Sequence, residues 1–207
     1  MPYPTKRLTL NELHLNICED VYEPAEDSLL FAKNLPKTTN LTVLDIGTGC
    51  GILAILAAKK GGAITAIDLN PLAIRCTKEN AHLNNVADKI TPIQGDLFSA
   101  LKPNTKFDLI LFNAPYLPSE PGEETTWIGR SWAGGTDGRR VIERFITQVS
   151  THLKPESSVF LMQSTLTDTK KTLDQFNQQH LTASIIAEQN LPFFETLTLI
   201  TAKPLPV

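Results

Sequence analysis

Short apolar runs rich in β-branched residues alternate along this chain with helix-like stretches, and few folds accept that pattern. Thr42–Ile46 (TVLDI), Ala63–Asp68 (AITAID), Ile90–Gln94, Phe107–Phe112 (FDLILF) and Ser158–Met162 each read as a strand. Between them, Ile52–Lys60 reads as a buried helix, and Pro71 suits the first turn of a helix running to about Asn84. Gly138–Leu153 and a stretch near Asp168–Gln179 predict two further helices. The alternation predicts an α/β fold, with a mostly parallel sheet covered on both faces. Leu181–Glu188 and Glu195–Ala202 (ETLTLITA) are β-rich with no room for a helix between them. They predict a C-terminal antiparallel hairpin at one edge, which brings the sheet to seven strands.

The totals exclude several classes. A chain of 207 residues suits one globular domain. No stretch approaches the roughly 18 apolar residues of a membrane-spanning helix, so no membrane role is expected. Met1 to Asn16 lacks the charged-then-apolar build of a secretory signal. Both absences make a cytoplasmic location the expectation. The net charge of −3 does not suggest the basic face of a protein that grips phosphate backbones, which weighs against a nucleic-acid substrate. Cys18, Cys50 and Cys76 are far apart in sequence and contain no C-x-x-C. With His14, His82, His152 and His180 scattered too, neither a disulfide framework nor a metal site is expected.

Asp45-x-Gly47-x-Gly49-x-Gly51 stands where the first sheet strand meets the first helix after it. Glycines there let a ligand approach the backbone, and the helix N-terminus offers free N–H groups. A dinucleotide loop needs G-x-G-x-x-G, but the third glycine position is occupied by Ile52. The spacing present resembles the S-adenosylmethionine loop of the Rossmann-like class I methyltransferases, whose sheet also ends in an antiparallel hairpin. Asp68 ends the second strand, where a carboxylate can accept hydrogen bonds from both ribose hydroxyls. Asp96 follows the third strand and is placed to accept from the adenine amino group, with Leu97 packing nearby. Taken singly, each acid also suits a helix cap. Three of them, each directly after an apolar strand, point to the cofactor. Residues 1–40 then predict an N-terminal segment packing on the cofactor site, and 41–207 the methyltransferase domain, with a single domain overall.

Asn113-Ala114-Pro115-Tyr116 follows the fourth strand and resembles the N-P-P-Y motif of enzymes that methylate nitrogens on planar systems. An amide nitrogen is a poor nucleophile because its lone pair is delocalised. The Asn113 side-chain oxygen and the Ala114 carbonyl can accept its two N–H hydrogen bonds and orient it. Tyr116 offers a ring face for the planar group. Pro115 biases Ala114 towards an extended conformation, aiming that carbonyl. Ala114 replaces the usual proline; the carbonyl survives, but a fixed φ is lost, at a cost of about 0.4–1 kcal/mol.

Two further segments are more specific. Asp20-Val21-Tyr22-Glu23-Pro24-Ala25-Glu26-Asp27-Ser28 resembles the V-Y-E-P-A-E-D-[ST] segment of the small archaeal and eukaryotic branch of the HemK-like protein glutamine methyltransferases. Ser131-Trp132-Ala133-Gly134-Gly135-Thr136-Asp137-Gly138-Arg139 resembles that branch's W-A-G-G-x-[DN]-G-R stretch. The resemblance runs from Val21 to about Ala202. It implies S-adenosylmethionine-dependent methylation of the glutamine amide in the Gly-Gly-Gln motif of a class I translation release factor. It also implies that Tyr22, Pro24 and Ser28 join Asp45, Gly47, Gly49, Asp68, Asp96 and Leu97 in binding the cofactor, with Asn113 serving cofactor and acceptor alike. A small zinc-binding activator protein is implied as a heterodimer partner, adding a strand beside the third strand, Ile90–Gln94.

Other features read more plainly. Arg139, Arg140 and Arg144 read first as a solvated basic face and second as a docking patch. Glu123 and Glu124 read as a solvated acidic loop. The tetrapeptide does not separate an amide from an exocyclic amino group, so methylation of adenine or guanine in RNA or DNA is the competing reading. A catalytically silent binding module is disfavoured by the intact Asn113, Pro115, Tyr116 and glycine loop.

Overall fold

The computed structural model describes residues 6–10 and 12–205; the outer ends of the two expected segments, 1–5 and 206–207, lie outside the described residues, as does residue 11. Strands β1 (Lys6–Leu10) and β2 (Leu13–Ile17) form an antiparallel pair that the alternation did not announce. Then follow α1 (Glu26–Lys33), β3 (Thr42–Ile46), α2 (Ile52–Lys59), β4 (Ala63–Asp68), α3 (Pro71–Leu83) and β5 (Ile90–Gln94). The remainder is β6 (Phe107–Asn113), the short α4 (Trp127–Arg130), α5 (Arg140–Val149), β7 (Leu153–Ser164), α6 (Thr169–Gln178), β8 (Leu181–Asn190) and β9 (Thr196–Pro204). The sheet has seven strands in the order β5-β4-β3-β6-β7-β9-β8, with β9 antiparallel to both of its neighbours. This is the α/β class expected, C-terminal hairpin included. The chain divides into two compact units, Met1–Leu101 and Lys102–Val207.

In the first unit, Val43, Leu44, Asp45 and Ile46 of β3 are all buried, as a strand covered on both faces requires. α2 is apolar all round and buries Ile52, Leu53, Ala54, Ile55, Ala57 and Ala58. β2 alternates, burying Leu13, Leu15 and Ile17. Polar residues of α3 fix it: Asn80 Oδ1 accepts from Asn16 N (2.8 Å), and Asn84 Oδ1 accepts from His14 N (3.1 Å). Asn70 Nδ2 donates to Asp20 O at 2.8 Å. The N-terminal segment is therefore bound to the helix that follows the second parallel strand.

In the second unit, α5 buries Ile142, Phe145, Ile146 and Val149, the i, i+3, i+4, i+7 stripe of an amphipathic helix. Phe145 meets Phe112 of β6 at 4.8 Å between ring centroids. Burial of one such ring contributes about 1.5–3 kcal/mol. β7 is longer than expected because Lys154, Pro155, Glu156 and Ser157 imitate a turn; a register shift between Phe107 and Leu109 accommodates them.

Candidate functional site

In the first unit, the candidate cofactor residues gather at the turn after β3. Gly47, Gly49 and Gly51 all have positive φ, at 64°, 58° and 86°, a region that side chains other than glycine's rarely adopt. Two of these glycines serve different ends. A Cβ on Gly51 would press on Thr77 at 3.0 Å, whereas a Cβ on Gly49 would meet nothing nearer than Gly47 O at 4.0 Å. The space beside Gly49 is thus open to a ligand. Asp68, at the end of β4, accepts from Gly49 N (2.9 Å) through one oxygen and from Asn70 N (2.8 Å) through the other. With Leu69 N–H also among its donors, the carboxylate keeps one of its four lone pairs for a ribose hydroxyl. Burial pushes the Asp68 carboxyl above its ordinary range, and backbone N–H groups of Asn70, Gly49 and Leu69 oppose the rise.

Asp45 is wholly buried, and its Oδ2 accepts from Thr48 Oγ1 (2.7 Å) and Ala54 N (3.2 Å). It braces the glycine turn against the start of α2. Burial pushes its carboxyl up to about 7, against the Thr48 and Ala54 hydrogen bonds and with a smaller push from Asp68. The folded chain therefore holds this proton more tightly than the unfolded chain, and stability falls as pH rises from the unfolded carboxyl range to about 7. The fall is at most roughly 4 kcal/mol, from about three pKa units at 1.36 kcal/mol each. Melting curves from pH 4 to 8 should show Tm decreasing for the parent chain relative to Asp45→Asn. Parallel Tm profiles would refute the assignment.

Residues that the sequence did not single out hold this turn from α3. Thr77 Oγ1 donates to Gly49 O (3.0 Å), while Asn80 Nδ2 donates to Cys50 O (2.8 Å) and Asn16 O (2.9 Å). The available signal was a buried polar stripe, Thr77, Asn80 and Asn84, on a helix face where apolar residues are the rule. The three cysteines, far apart in sequence, are buried and interact with one another here. Burial pushes the Cys50 thiol up to about 12, so it stays protonated and unreactive.

Tyr22 and Ser28 meet at Asp27, which accepts from the Tyr22 hydroxyl (3.3 Å) and from Ser28 N (2.5 Å) and Oγ (3.1 Å). Pro24 lies between them in sequence and is half-buried. Asp96 is half-buried in the turn after β5, where its N–H donates to Ser99 Oγ, and Leu97 is buried at a positive φ of 51°.

In the second unit, the candidate catalytic residues follow β6. Asn113 is the strand's last residue and half-buried; Ala114 and Tyr116 are buried. The segment beyond is clamped by the W-A-G-G stretch. Leu117 N donates to Trp132 O (2.9 Å), Gly134 N to Leu117 O (2.8 Å), and Ser119 N to Gly135 O (2.9 Å). Gly138 has φ +71°, and a Cβ there would collide with Tyr116 O and Thr167, so only glycine fits. Arg139 is no solvated residue: it is 3% exposed. Its guanidinium donates to Thr167 O, Asp168 O (3.0 Å), Thr172 Oγ1 (3.0 Å) and Gln175 Oε1 (2.6 Å), and pairs with Glu143 (3.1 Å). Its neighbour Arg140 is exposed and pairs with Glu124 at 3.1 Å. The acidic loop is correspondingly ordered: Glu123 Oε2 accepts from Glu120 N at 2.8 Å.

Sheet order, glycine turn and strand-end acids define a class I methyltransferase fold. A family profile described as ribosomal protein L11 methyltransferase (PrmA) matches residues 25–114. A Methanocaldococcus jannaschii protein named as a protein N5-glutamine methyltransferase is 39% identical over 194 residues, covering 93% of this chain and 96% of that one. The human methyltransferase HEMK2 is 36% identical over 154 residues, 69% of this chain and 71% of its own. The E. cuniculi Mtq2–Trm112 complex, described as responsible for methylating the eRF1 translation termination factor, superposes with a TM-score of 0.69 at 22% identity, over 90% of this chain and 99% of that one. This chain belongs to the HemK-like protein glutamine methyltransferases and is an S-adenosylmethionine-dependent enzyme. The open side of Gly49 and the remaining lone pair of Asp68 fit that cofactor.

Proposed function

We propose that this chain methylates the side-chain amide nitrogen of the glutamine in the Gly-Gly-Gln motif of a class I translation release factor, in the cytoplasm. The observation that carries this reading is the Asn113-Ala114-Pro115-Tyr116 turn, held at the end of β6 by a clamp of backbone hydrogen bonds. Bound S-adenosylmethionine supplies a methyl on a sulfonium that departs as a neutral thioether while the N–C bond forms. The Asn113 oxygen and the Ala114 carbonyl accept the two amide N–H groups and fix the direction of the nitrogen. Tyr116 packs against the amide plane, and one amide proton is lost to water. The name of the archaeal relative, a protein N5-glutamine methyltransferase, and the termination-factor substrate of the Mtq2–Trm112 complex support a protein acceptor.

The working enzyme, on this reading, is a heterodimer with a small zinc-binding activator whose strand joins β5. Two features support that edge. β5 ends the sheet order, and its pairing with β4 runs unbroken across Pro92. Gly95 N donates to Asp68 O, so by alternation Thr91 and Ile93 face β4, while Ile90, Pro92 and Gln94 face outward. The missing N–H of Pro92 then leaves the pairing with β4 whole and withholds one outward donor, so a joining strand bonds to the N–H groups of Ile90 and Gln94 and to the outward carbonyls.

The test is transfer of labelled methyl from S-adenosylmethionine to a purified class I release factor, with and without the activator. A parallel factor has its Gly-Gly-Gln glutamine replaced. Label that disappears with the glutamine supports the reading, and label that needs the activator supports the heterodimer. Label on bulk RNA and none on the factor would overturn it.

A further inference from the structure

The turn joining β8 to β9 carries two neighbouring phenylalanines, Phe193 and Phe194, both fully exposed. Both have left-handed backbone, with φ of 63° and 64°, a conformation costly for bulky side chains. Large aromatics are kept inside unless a surface has use for them, and two in succession at a loop tip form an apolar patch. The turn itself is well held: Leu191 N donates to Glu195 O (2.8 Å) and Thr196 Oγ1 to Asn190 Oδ1 (3.0 Å). Thr196 N donates to Thr165 Oγ1 (3.1 Å), which ties the tip to the end of β7. The neighbouring turn there exposes Leu166.

Topology decides what this tip faces. β6 and β7 are parallel, and Asn113 at the end of β6 is opposite Met162 near the end of β7. β9 runs back against β7, with Leu197 opposite Ser164, so the β8–β9 turn stands at the carboxyl ends of β6 and β7. The tip and the amide-holding Asn113 therefore occupy one edge of the sheet, roughly 10 Å apart across the strands and with the tip about five residues farther along them. A folded protein that inserts a loop at Asn113 spans more than that distance.

We propose that the Phe193–Phe194 tip is a docking contact for the protein substrate, seated on an apolar spot beside the loop that carries the methylated amide. This inference rests on the protein-acceptor reading above. Charge narrows the occupant. From Leu181 to Ala202 the chain has no lysine or arginine, and its charges are Glu188 and Glu195. Beyond the Thr165 turn, Lys170 is preceded by Asp168 and Lys171 pairs with Glu143, so an anionic membrane or a nucleic acid finds no net positive surface here, whereas a protein patch with a basic rim is complementary.

The tip is tested with F193S/F194S and with F193N/F194G, the second chosen to keep the left-handed backbone without the rings. Each is assayed with its activator on a purified class I release factor. The expected result is a rise in KM for the factor of about tenfold, as for loss of an aromatic anchor, with kcat at saturation, cofactor Kd and Tm unchanged. An unchanged KM in an active enzyme would overturn the docking contact and leave the substrate reading intact. Loss of the activator from the complex, or a fall from dimer to monomer in sedimentation, would assign the tip to another partner and overturn it equally. Absence of label on the factor with the parent chain would remove the substrate reading and the docking contact with it.

Discussion

Replacing Asn113 by alanine should lower kcat about 10²- to 10³-fold, the range seen when one positioned polar partner of a reacting group is deleted. The reason is local. Asn113 ends β6, and the backbone after it is fixed through Leu117, Ser119 and Gly134. Truncation at Cβ therefore removes an acceptor without freeing the turn. Cofactor Kd and Tm should remain near parental values, because the glycine turn and Asp68 are held by Asp45, Thr77 and backbone N–H groups. Asp68→Ala is the contrasting variant, in which cofactor affinity falls. Parental kcat in Asn113→Ala would eliminate the amide-holding mechanism; a loss seen only in cofactor Kd would leave Asn113 with its cofactor role alone.

The sequence carried the parallel strands and the glycine turn well, because both leave local marks. A strand buried on both faces reads as a continuous apolar run, as β3 and β6 do. Asp45 and Asp68 were legible by position, yet the part Asp45 plays in bracing Thr48 and Ala54 required distances. Partnerships between residues remote in sequence were not legible. Asn80 joins Asn16 to Cys50, and no pattern of one segment encodes a bond to two others. The hairpin β1–β2 was hidden by its shortness and by the polar residues on its exposed face. Arg139 was misplaced because three arginines within six residues suggest a charged surface, while the helix turns one of them inward.

That inward arginine should have the largest effect on stability. Arg139→Met keeps an unbranched side chain but leaves Thr167 O, Asp168 O and Gln175 Oε1 without the guanidinium that bridges them. Breaking a buried charged network in this way costs about 3–5 kcal/mol. Glu143 lessens the loss, because it also pairs with Lys171 at 2.7 Å and is itself partly exposed. Arg139→Lys should fall between, since one ammonium cannot reach acceptors spread around a planar fork. The damage should also reach catalysis. Gly138 packs against Tyr116 O and Thr167, and Gly134 N holds Leu117 O, so loosening residue 139 loosens the turn that follows Asn113. Urea denaturation gives the stability, and kcat measured well below the melting transition gives the second effect. A loss under about 1 kcal/mol would mean that water replaces the guanidinium at its acceptors. A full loss of stability with parental kcat in the remaining folded fraction would separate the arginine from the catalytic turn.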